Sequence, residues 1–242
     1  MSISTKYGRT YHYDFSPGTT SDDRINREWR NQITLFDNVV HTEKMDGENT
    51  CLSQYGVFAR SHAAPTIHPW ANHLKIKQSV LFSDLKENNL EIFGENLYAI
   101  HSIIYPRLED HFYVFGIRVN DMWLSWEETK WYAEFFDLSV VPELSFQDTK
   151  DTELIKQKVL ELSNQPSIFG SKQNNTNPLM DCTREGLVTR NINEYSVADF
   201  ASNVFKYVRK DHVQTDVHWS KNITRAELLY ELEAKNKKQI IL

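Results

Sequence analysis

Apolar and polar positions follow different patterns on either side of residue 39. Residues 1–38 are polar and rich in turn residues, and they predict an N-terminal arm with one short helix near Ile25–Gln32. From residue 39 onward, short runs of β-branched and aromatic residues bounded by turn residues predict strands. The predicted strands are Val39–Glu43, Thr50–Gln54, Val57–Arg60, Leu90–Phe93, Phe112–Val119, Met122–Trp126, Glu185–Thr189 and Val204–Val208.

Helical periodicity occurs in four segments, in which apolar residues recur every three or four positions. Thr224, with Glu227 three residues later, has the pattern of a capping box and predicts the start of the last helix. A polar segment at 164–177 predicts a loop. The predicted helices are Trp70–Leu85, Glu127–Phe136, Asp151–Leu162 and Arg225–Asn236.

The order of these elements predicts the fold class. Strands and helices do not alternate regularly, which favours α+β, with mixed, largely antiparallel sheets and flanking helices, over a parallel doubly wound sheet. No composition boundary divides the 242 residues. We therefore expect a single domain over 1–242, with 1–38 as an arm and 213–242 as a short C-terminal extension.

Composition narrows the class of protein further. Hydrophobic residues make up 40% of the chain and charged residues 25%, which is ordinary for a soluble globular protein. No apolar run approaches the roughly 20 residues that span a bilayer, the N-terminus lacks the apolar stretch of a signal peptide, and two cysteines do not make a disulfide framework. We expect a cytoplasmic protein without a membrane partner.

Net charge constrains the choice of partner only weakly. The formal net charge of −6 argues against a protein whose whole surface binds nucleic acid. It is compatible with a local basic groove, because sparse lysines and arginines can converge in the fold.

The segment from His41 to Asn49 contains the first candidate for chemistry. Lys44 ends a predicted strand, and Asp46 and Gly47 after it form a turn pair that lets the backbone approach a ligand closely. A lysine attacks phosphorus only as the neutral amine, and burial and neighbouring cations lower its pKa. Taken alone, the segment slightly favours a surface lysine beside a common hairpin turn.

Five further segments change that balance because they follow Lys44 in order. They are Phe58–Ser61, Phe93–Asn96, Phe112–Ile117, Glu185–Arg190 and Phe205–Arg209. Together with the Lys44 segment, this series resembles the covalent nucleotidyltransferase superfamily of ATP-dependent ligases and mRNA capping enzymes, and looks most like its RNA ligase 2-like branch. The resemblance covers about residues 40–212 and implies a nucleotidyltransferase/ATP-grasp-like ligase catalytic domain.

The resemblance implies three catalytic residues. Lys44 matches the nucleophile that forms a lysyl–AMP phosphoramidate. Glu185 matches a carboxylate associated with a divalent metal, Mg²⁺ or Mn²⁺. Lys206 matches a lysine that contacts the α-phosphate of ATP, where displacement of pyrophosphate builds negative charge.

It also implies nucleotide-binding residues. Glu43 is expected to help read the adenine edge, and Phe115 to stack on the base, a contact worth about 1–3 kcal/mol. Asn49 is expected near the nucleotide and the RNA end, and Arg60 and Glu95 near the ribose and phosphates. Outside this resemblance Phe115 is an ordinary core residue, Arg60 a surface cation, and Glu95 a polar turn residue.

The last motif departs from the family pattern. Many relatives have two lysines separated by one residue, whereas here Lys206 is followed by Tyr207 and Val208. Strand alternation places Val208 on the side of Lys206. Arg209 therefore supplies the second nucleotide-binding cation only if a bulge intervenes.

These residues imply an ATP-dependent RNA ligase that transfers AMP from Lys44 to a 5′-phosphate end and seals it to a 3′-hydroxyl. The expected partners are RNA or nicked-duplex ends. No OB-type domain follows in this sequence, so we expect the catalytic domain, the arm or a partner to hold the substrate. Three alternatives stay open: a DNA-nick ligase, a guanylyltransferase using GTP, which Glu43 disfavours, and a nucleic-acid-binding protein on a degenerate ligase scaffold, which the retained Lys44, Glu185 and Lys206 disfavour.

Overall fold

Two β-sheets pack face to face in this protein, and helices cover their outer faces. The computed structural model describes residues 4–148, 150–170, 182–210 and 223–240. The loop predicted at 164–177 and the extension predicted from 213 lie partly outside these ranges. The strands are β1 Tyr11–Tyr13, β2 Ile25–Asn26, β3 Val39–Lys44, β4 Glu48–Ser53, β5 Gly56–Ala59, β6 Leu90–Asn96, β7 Phe112–Val119, β8 Met122–Trp123, β9 Ser139–Val140, β10 Glu143–Gln147, β11 Gly186–Asn191, β12 Tyr195–Ser196 and β13 Val204–Val208.

Seven α-helices are present in the described residues, together with two 3₁₀ turns at Pro69–Ala71 and Val197–Asp199. The helices are α1 Trp29–Ile33, α2 Asn72–Val80, α3 Phe82–Glu87, α4 Trp126–Phe135, α5 Thr152–Ser163, α6 Phe200–Asn203 and α7 Leu229–Ile240.

The first sheet has six strands in the described residues, in the order β10-β3-β11-β13-β1-β2. The pairs from β10 to β13 are antiparallel, whereas β1 pairs parallel to β13 and to β2. The predicted arm therefore extends the sheet. In the register of this sheet, His12 on β1 lies beside Lys206 on β13. Gly186 on β11 lies opposite Lys44 on β3.

The second sheet contains β12, β8, β7, β6, β4 and β5 in that order, with β9 paired parallel to β7. Its central pairs are antiparallel, so the α+β class with largely antiparallel sheets is confirmed. Asn49 lies opposite Glu95 in the β4–β6 pair, which aligns two of the predicted site residues at one end of this sheet.

Three apolar clusters hold the layers together. The first lies between the sheets and includes Val40, Phe93 and Phe115. The other two lie under the helices, one around Leu74 and α2–α4 on the second sheet, and one around Trp29, α1 and α5 on the first. Because both faces of each sheet are covered, the central strands β3, β7 and β13 are buried along most of their length, polar residues included.

Most strand predictions are confirmed, and Phe112–Val119 and Val204–Val208 have the predicted bounds. The arm prediction is wrong in detail, since its single helix is replaced by β2 followed by α1. The helix predicted over Trp70–Leu85 is divided at Leu81, which is buried between α2 and α3, and Val80 of the predicted apolar stripe is 75% exposed.

The capping box predicted at Thr224 is also wrong. Arg225 instead forms a β-bridge with Ala99, and the helix begins at Leu229. A capping box does occur at Ser125, whose hydroxyl accepts a hydrogen bond from the Glu128 backbone at the start of α4. A local capping pattern is decisive only where tertiary contacts leave the backbone free to form the helix.

Two further sequence features have structural counterparts. Cys51 and Cys182 are both buried, as the sequence predicts. No helix in the described parts of the chain combines the length and the apolar character needed to cross a membrane.

His41 connects three strands of the first sheet. Its ring nitrogens contact the Thr189 hydroxyl on β11 at 2.9 Å and the Gln147 side-chain oxygen on β10 at 2.7 Å. The side chain is fully buried, and burial lowers its pKa to about 4. His41 is therefore neutral in the fold at pH 5–7.

Replacing His41 with asparagine should flatten the pH dependence of stability. In the unfolded chain its pKa returns to about 6.5, so the unfolded state takes up the proton first and the free energy of unfolding falls between pH 7 and pH 5. We expect this fall, measured by urea unfolding, to be about 1–2 kcal/mol smaller in His41→Asn than in wild type. His68→Asn, at an exposed position, is the control. Equal falls in wild type and His41→Asn contradict the prediction.

Candidate functional site

A cavity of about 370 Å³ opens between the two sheets beside the end of β3. Seven of the nine predicted site residues line it, and an eighth, Glu185, contacts one of them. Arg209 is not among the described residues that line it. The lining residues are Tyr7, Thr10, Asp23, Glu43, Lys44, Met45, Gly47, Asn49, Arg60, Glu95, Phe115, Val141, Val188, Arg190 and Lys206.

Lys44 lies at the charged end of the cavity. Its Nζ donates to Glu185 Oε2 at 2.7 Å, and Glu185 is buried. The β3–β11 register brings the two side chains together, because Gly186 lies opposite Lys44. A Cβ at Gly186 would lie 2.0 Å from the Tyr207 carbonyl oxygen, so only glycine permits this close approach of β11 to β13.

The described surroundings of Lys44 favour its protonated form. Burial lowers the pKa of the Lys44 amine. The Glu185 and Glu95 carboxylates together raise it by more than burial lowers it, so the pKa lies above its ordinary value. The expectation of a depressed pKa is therefore wrong for these surroundings. Before Lys44 can act as a nucleophile, the ion pair with Glu185 must separate and the amine must lose a proton.

Glu95 connects the second sheet to the loop after Lys44. Its Oε1 accepts a hydrogen bond from the Gly47 backbone at 3.1 Å. Burial raises the pKa of Glu95 to about 8, and the nearby Glu185 and Asp46 carboxylates raise it while Lys44 lowers it. Burial is therefore the main reason why Glu95 holds its proton more tightly than an exposed glutamate.

Glu43, adjacent to Lys44 on β3, has a different set of partners. Its Oε2 accepts a hydrogen bond from Arg184 Nε at 3.3 Å, and Arg184 also donates to the Leu162 carbonyl at the end of α5. Glu43 is part of the cavity wall, but it lies opposite Leu187 in the β3–β11 pair, and strand alternation turns its side chain towards α5, on the face opposite that of Lys44. Burial raises the pKa of Glu43, and Arg184 opposes this effect.

The other end of the cavity is aromatic and aliphatic. Phe115 on β7 packs edge-on against Tyr7 of the arm, with ring centroids 4.9 Å apart. Val188 on β11 and Val141 complete this end. Phe115 and Val188 come from different sheets, so a planar ring between them would contact both.

Lys206 reaches the cavity from β13. Its Nζ donates to Asp23 Oδ1 at 3.0 Å, and His12 Nε2 lies 3.0 Å from the same oxygen. Thr20 donates to Asp23 Oδ2 through its backbone and its hydroxyl, both at 3.0 Å. The arm thus holds the carboxylate that orients Lys206, a contact across 183 residues that no local sequence signal reveals.

The position two residues after Lys206 is covered by the arm. Val208 is buried, its backbone N–H donates to Ser16 Oγ at 2.9 Å, and its carbonyl accepts from Gly18 at 2.9 Å. Arg209 donates to the Arg184 carbonyl at 3.2 Å. A second lysine at Val208 would have to be buried beneath the arm, which explains physically why a valine is accommodated there.

Two predicted residues reach the cavity from the β4–β5 hairpin. Asn49 has its Oδ1 buried without a hydrogen-bond partner in the described residues. Arg60 directly follows β5 and is exposed. Both are free to contact a ligand without breaking an ion pair in the described residues.

Asp46 has a structural role that the sequence did not indicate. Its Oδ2 accepts hydrogen bonds from the Ser102 backbone and hydroxyl, at 2.8 and 2.7 Å, and from the Ile103 backbone at 2.8 Å. Its own backbone donates to the Tyr105 hydroxyl at 2.9 Å. These bonds fix the loop that follows Lys44.

The donor set near Lys44 fits a divalent cation that keeps water and phosphate ligands. No group of three or more His, Cys, Asp or Glu side chains in the described residues forms a metal site. Magnesium needs only one or two carboxylates when phosphate oxygens complete its shell. Glu185 provides carboxylate oxygens beside Lys44, and Glu95 lies nearby.

Comparison with known proteins agrees with this arrangement. The family model described as RNA ligase matches residues 37–208, more than half of the chain. No curated protein sequence matches the chain.

Solved structures that share this fold include RNA ligases. A Naegleria gruberi RNA ligase variant with ATP and Mn has a TM-score of 0.54 and is 18% identical, over 85% of this chain and 56% of that chain. The Naegleria gruberi RNA ligase with PPi has a TM-score of 0.52 and 19% identity, over 86% and 60%. An archaeal ATP-dependent RNA ligase has a TM-score of 0.51 and 20% identity, over 72% and 43%. This chain spans between 43% and 60% of these structures, and at such identities the matches establish the fold.

Breaking the Asp23–Lys206 contact should lower stability at neutral pH. Burial alone would raise the pKa of Asp23, but hydrogen bonds from Thr20 and Lys206 lower it well below its ordinary value. The contribution of the contact to stability is therefore complete at pH 7 and pH 5, and it declines as the pH falls below about 4 towards the lowered pKa of Asp23. We expect a double-mutant cycle of Asp23→Asn and Lys206→Met, read by urea unfolding, to give a coupling of about 1 kcal/mol at pH 7.

The control cycle uses an exposed ion pair, Lys158→Met with Glu161→Gln, which should couple by less than about 0.5 kcal/mol. A coupling between Asp23 and Lys206 no larger than that of the control would show that the arm does not hold Lys206.

Proposed function

This chain belongs to the RNA ligase family, and from that premise we propose that it is an ATP-dependent RNA ligase that carries AMP on Lys44. One observation carries the proposal: residues from six separate segments converge on the cavity between the sheets, with Lys44 at its charged end and Phe115 at its aromatic end. The similar Naegleria ligase structures with ATP and Mn, and with PPi, support ATP as the nucleotide and pyrophosphate as the first product.

In the first step Lys44 attacks the α-phosphorus of ATP. The N–P bond forms, the bond from the α-phosphorus to the bridging oxygen breaks, and pyrophosphate leaves while the amine gives up its proton. Lys206 and Arg60, which line the cavity, stabilise the charge that develops on the phosphates. Asp23 supports this step indirectly by orienting Lys206.

In the next two steps the AMP moves and the strand is sealed. An oxygen of the 5′-phosphate end attacks the phosphorus of the lysyl–AMP, the N–P bond breaks, and Lys44 regains a proton. The 3′-hydroxyl of the other end then attacks the 5′-phosphorus, its proton leaves, and AMP is released. Asn49, whose Oδ1 has no partner in the described residues, is the side chain we assign to the reacting end.

We expect a divalent cation to bind beside Lys44. Glu185, assisted by Glu95, would hold it, and when bound it would neutralise charge on the phosphates and compete with Lys44 for Glu185. Separation of Lys44 from Glu185 would then remove the contact that raises the lysine pKa.

Incubation with ATP and Mg²⁺ or Mn²⁺ should raise the intact mass of the protein by one adenylate. We expect the adduct in wild type, its absence in Lys44→Met, and its removal by added pyrophosphate because the step is reversible. Lys158→Met, on the exposed face of α5, is the matched control and should be adenylated like wild type. Labelled GTP in parallel separates this proposal from a guanylyltransferase. Wild type without an adduct under either metal would refute lysyl–AMP chemistry.

The adenylated protein should seal RNA in preference to DNA. Nicked duplexes carrying all-RNA, all-DNA or mixed strands at the nick differ only in the 2′-hydroxyls that a protein can contact. In a single-turnover sealing assay we expect the all-RNA nick to be sealed about fivefold faster or more than the all-DNA nick, since one lost hydrogen bond costs about 1 kcal/mol. Equal or faster sealing of the DNA nick would favour a DNA-nick ligase.

A further inference from the structure

The stretch of chain that starts at Asn49 is the longest part of the sequence without a carboxylate. No Asp or Glu occurs at 49–83, although the whole chain has 33 of them and a net charge of −6. The same stretch contains Arg60, Lys75 and Lys77, of which Lys77 pairs with Asp110. Lys75 donates to the neutral Asn72 side chain at 3.1 Å, and within the described residues neither it nor Arg60 forms an ion pair. A surface with cations and no carboxylates attracts a polyanion even on an acidic protein.

An aromatic stack lies inside this stretch. The rings of His68 and Trp70 are nearly parallel, at 7°, and their centroids are 4.1 Å apart. Trp70 is only 9% exposed, whereas His68 is exposed, so the tryptophan covers one face of the imidazole and the other face is open to solvent. Ile67, beside it in the chain, is 87% exposed and adds apolar surface. A second flat ring can therefore stack on His68 without displacing any part of the protein.

The His68–Trp70 stack is held rigidly by the second sheet. The Trp70 indole Nε1 donates to Glu48 Oε2 at 3.2 Å, and the Trp70 carbonyl accepts a hydrogen bond from the Asn96 side chain at 3.4 Å. On the other side of His68, the Thr66 backbone N–H donates to the Val57 carbonyl on β5 at 2.7 Å. A ligand that stacks there loses little affinity to the ordering of protein side chains, because the stack is already formed.

The stack lies next to the rim of the cavity. Glu48, its hydrogen-bond partner, directly precedes Asn49, the residue we assign to the reacting end. Arg60, at the other end of the segment that leads to His68, also lines the cavity. A polynucleotide with its end at Asn49 would therefore pass over a surface that carries cations and one open aromatic face.

We propose that the His68–Trp70 stack binds an unpaired nucleobase of the RNA strand whose end reacts in the cavity, while Arg60 and Lys75 attract the phosphates of that strand. This inference rests on the proposed function, because it takes the RNA end as its ligand. Every nucleobase has a flat π-face, so stacking positions a strand without regard to its sequence. The stack is then a substrate-binding site that adds affinity and fixes the path of the strand outside the cavity.

The test is binding of short, fluorescently labelled single-stranded RNA, measured by anisotropy without ATP so that no covalent step takes place. An abasic residue is moved one position at a time along the strand. For wild type we expect one position, or two neighbouring ones, at which the missing base weakens binding about tenfold. In His68→Ala the intact RNA should bind about tenfold more weakly, and the effect of the abasic residue should disappear.

Two conservative variants separate stacking from charge. His68→Tyr keeps a flat ring and should retain affinity close to that of wild type, whereas His68→Lys keeps a polar cation without a ring and should bind as weakly as His68→Ala. Lys75→Met should weaken binding of every oligonucleotide alike and reduce the dependence of affinity on salt concentration.

The matched control is an exposed aromatic pair in acidic surroundings. Trp131 and Phe135 on α4 stack at 9° with centroids 5.5 Å apart and are 58% and 64% exposed, but Glu127 and Glu134 lie on the same helix. Neither ring lines the cavity. Trp131→Ala should therefore bind every oligonucleotide like wild type.

The contrary outcomes are distinct from one another. Wild-type affinity that no abasic position changes would overturn the proposal, as would His68→Tyr binding as weakly as His68→Ala, or Trp131→Ala losing as much affinity as His68→Ala. Tighter binding of DNA than of RNA of the same sequence would overturn the assignment of the strand to RNA. Lysyl–AMP formation in a protein whose RNA affinity is unchanged by His68→Ala refutes the stacking site alone. The predicted abasic pattern in a protein that forms no adduct supports the stacking site and refutes lysyl–AMP chemistry.

Discussion

Two ion pairs join consecutive residues of β3 to the two residues just before β11. In one pair β3 supplies the carboxylate, and in the other it supplies the cation. Glu43 pairs with Arg184 on the α5 face of the sheet, and Lys44 pairs with Glu185 on the cavity face. Each pair is largely withdrawn from water, so each carboxylate and its cation must stay together to avoid a large desolvation cost. This constraint fixes the position of β11 relative to β3, and Gly186 permits the close packing against β13 that the arrangement requires. The same contact that fixes Lys44 also keeps its amine protonated, so the proposed reaction requires the Lys44–Glu185 pair to separate.

The N-terminal arm completes the cavity from a part of the chain that the family match does not include. That match begins at residue 37, whereas Tyr7 and Asp23 line the cavity together with residues of the matched region. Asp23 orients Lys206, and residues of the arm cover Val208. The arm therefore packs over the position at which the family pattern has a second lysine. The end of the cavity at β13 thus has one oriented lysine, Lys206, and one exposed arginine, Arg60.

The predictions that succeeded concern segments whose local pattern and tertiary role agree. Val204–Val208 is a central strand covered on both faces. Its mostly apolar sequence is therefore enough to predict it. The helix start at Thr224 failed because the neighbouring Arg225 pairs with Ala99, a contact that competes with the local capping pattern. Asp23 was missed as a site residue because an isolated aspartate has no local signal, and its role depends on Lys206, 183 positions further along the chain.

The sequence by itself determined the fold class, the family and the order of the motif segments. Strand patterns and short motifs are local, so they can be recognised without knowing how the chain packs. Tertiary structure alone decided which side chains share the cavity and in which charge state. The pKa of Lys44 illustrates the difference: the sequence shows a lysine before an Asp-Gly turn, and the carboxylates that raise its pKa come from Glu185 and Glu95, 141 and 51 residues further along the chain. Electrostatic effects of this kind follow distance in space and burial, which only the packed sheets define.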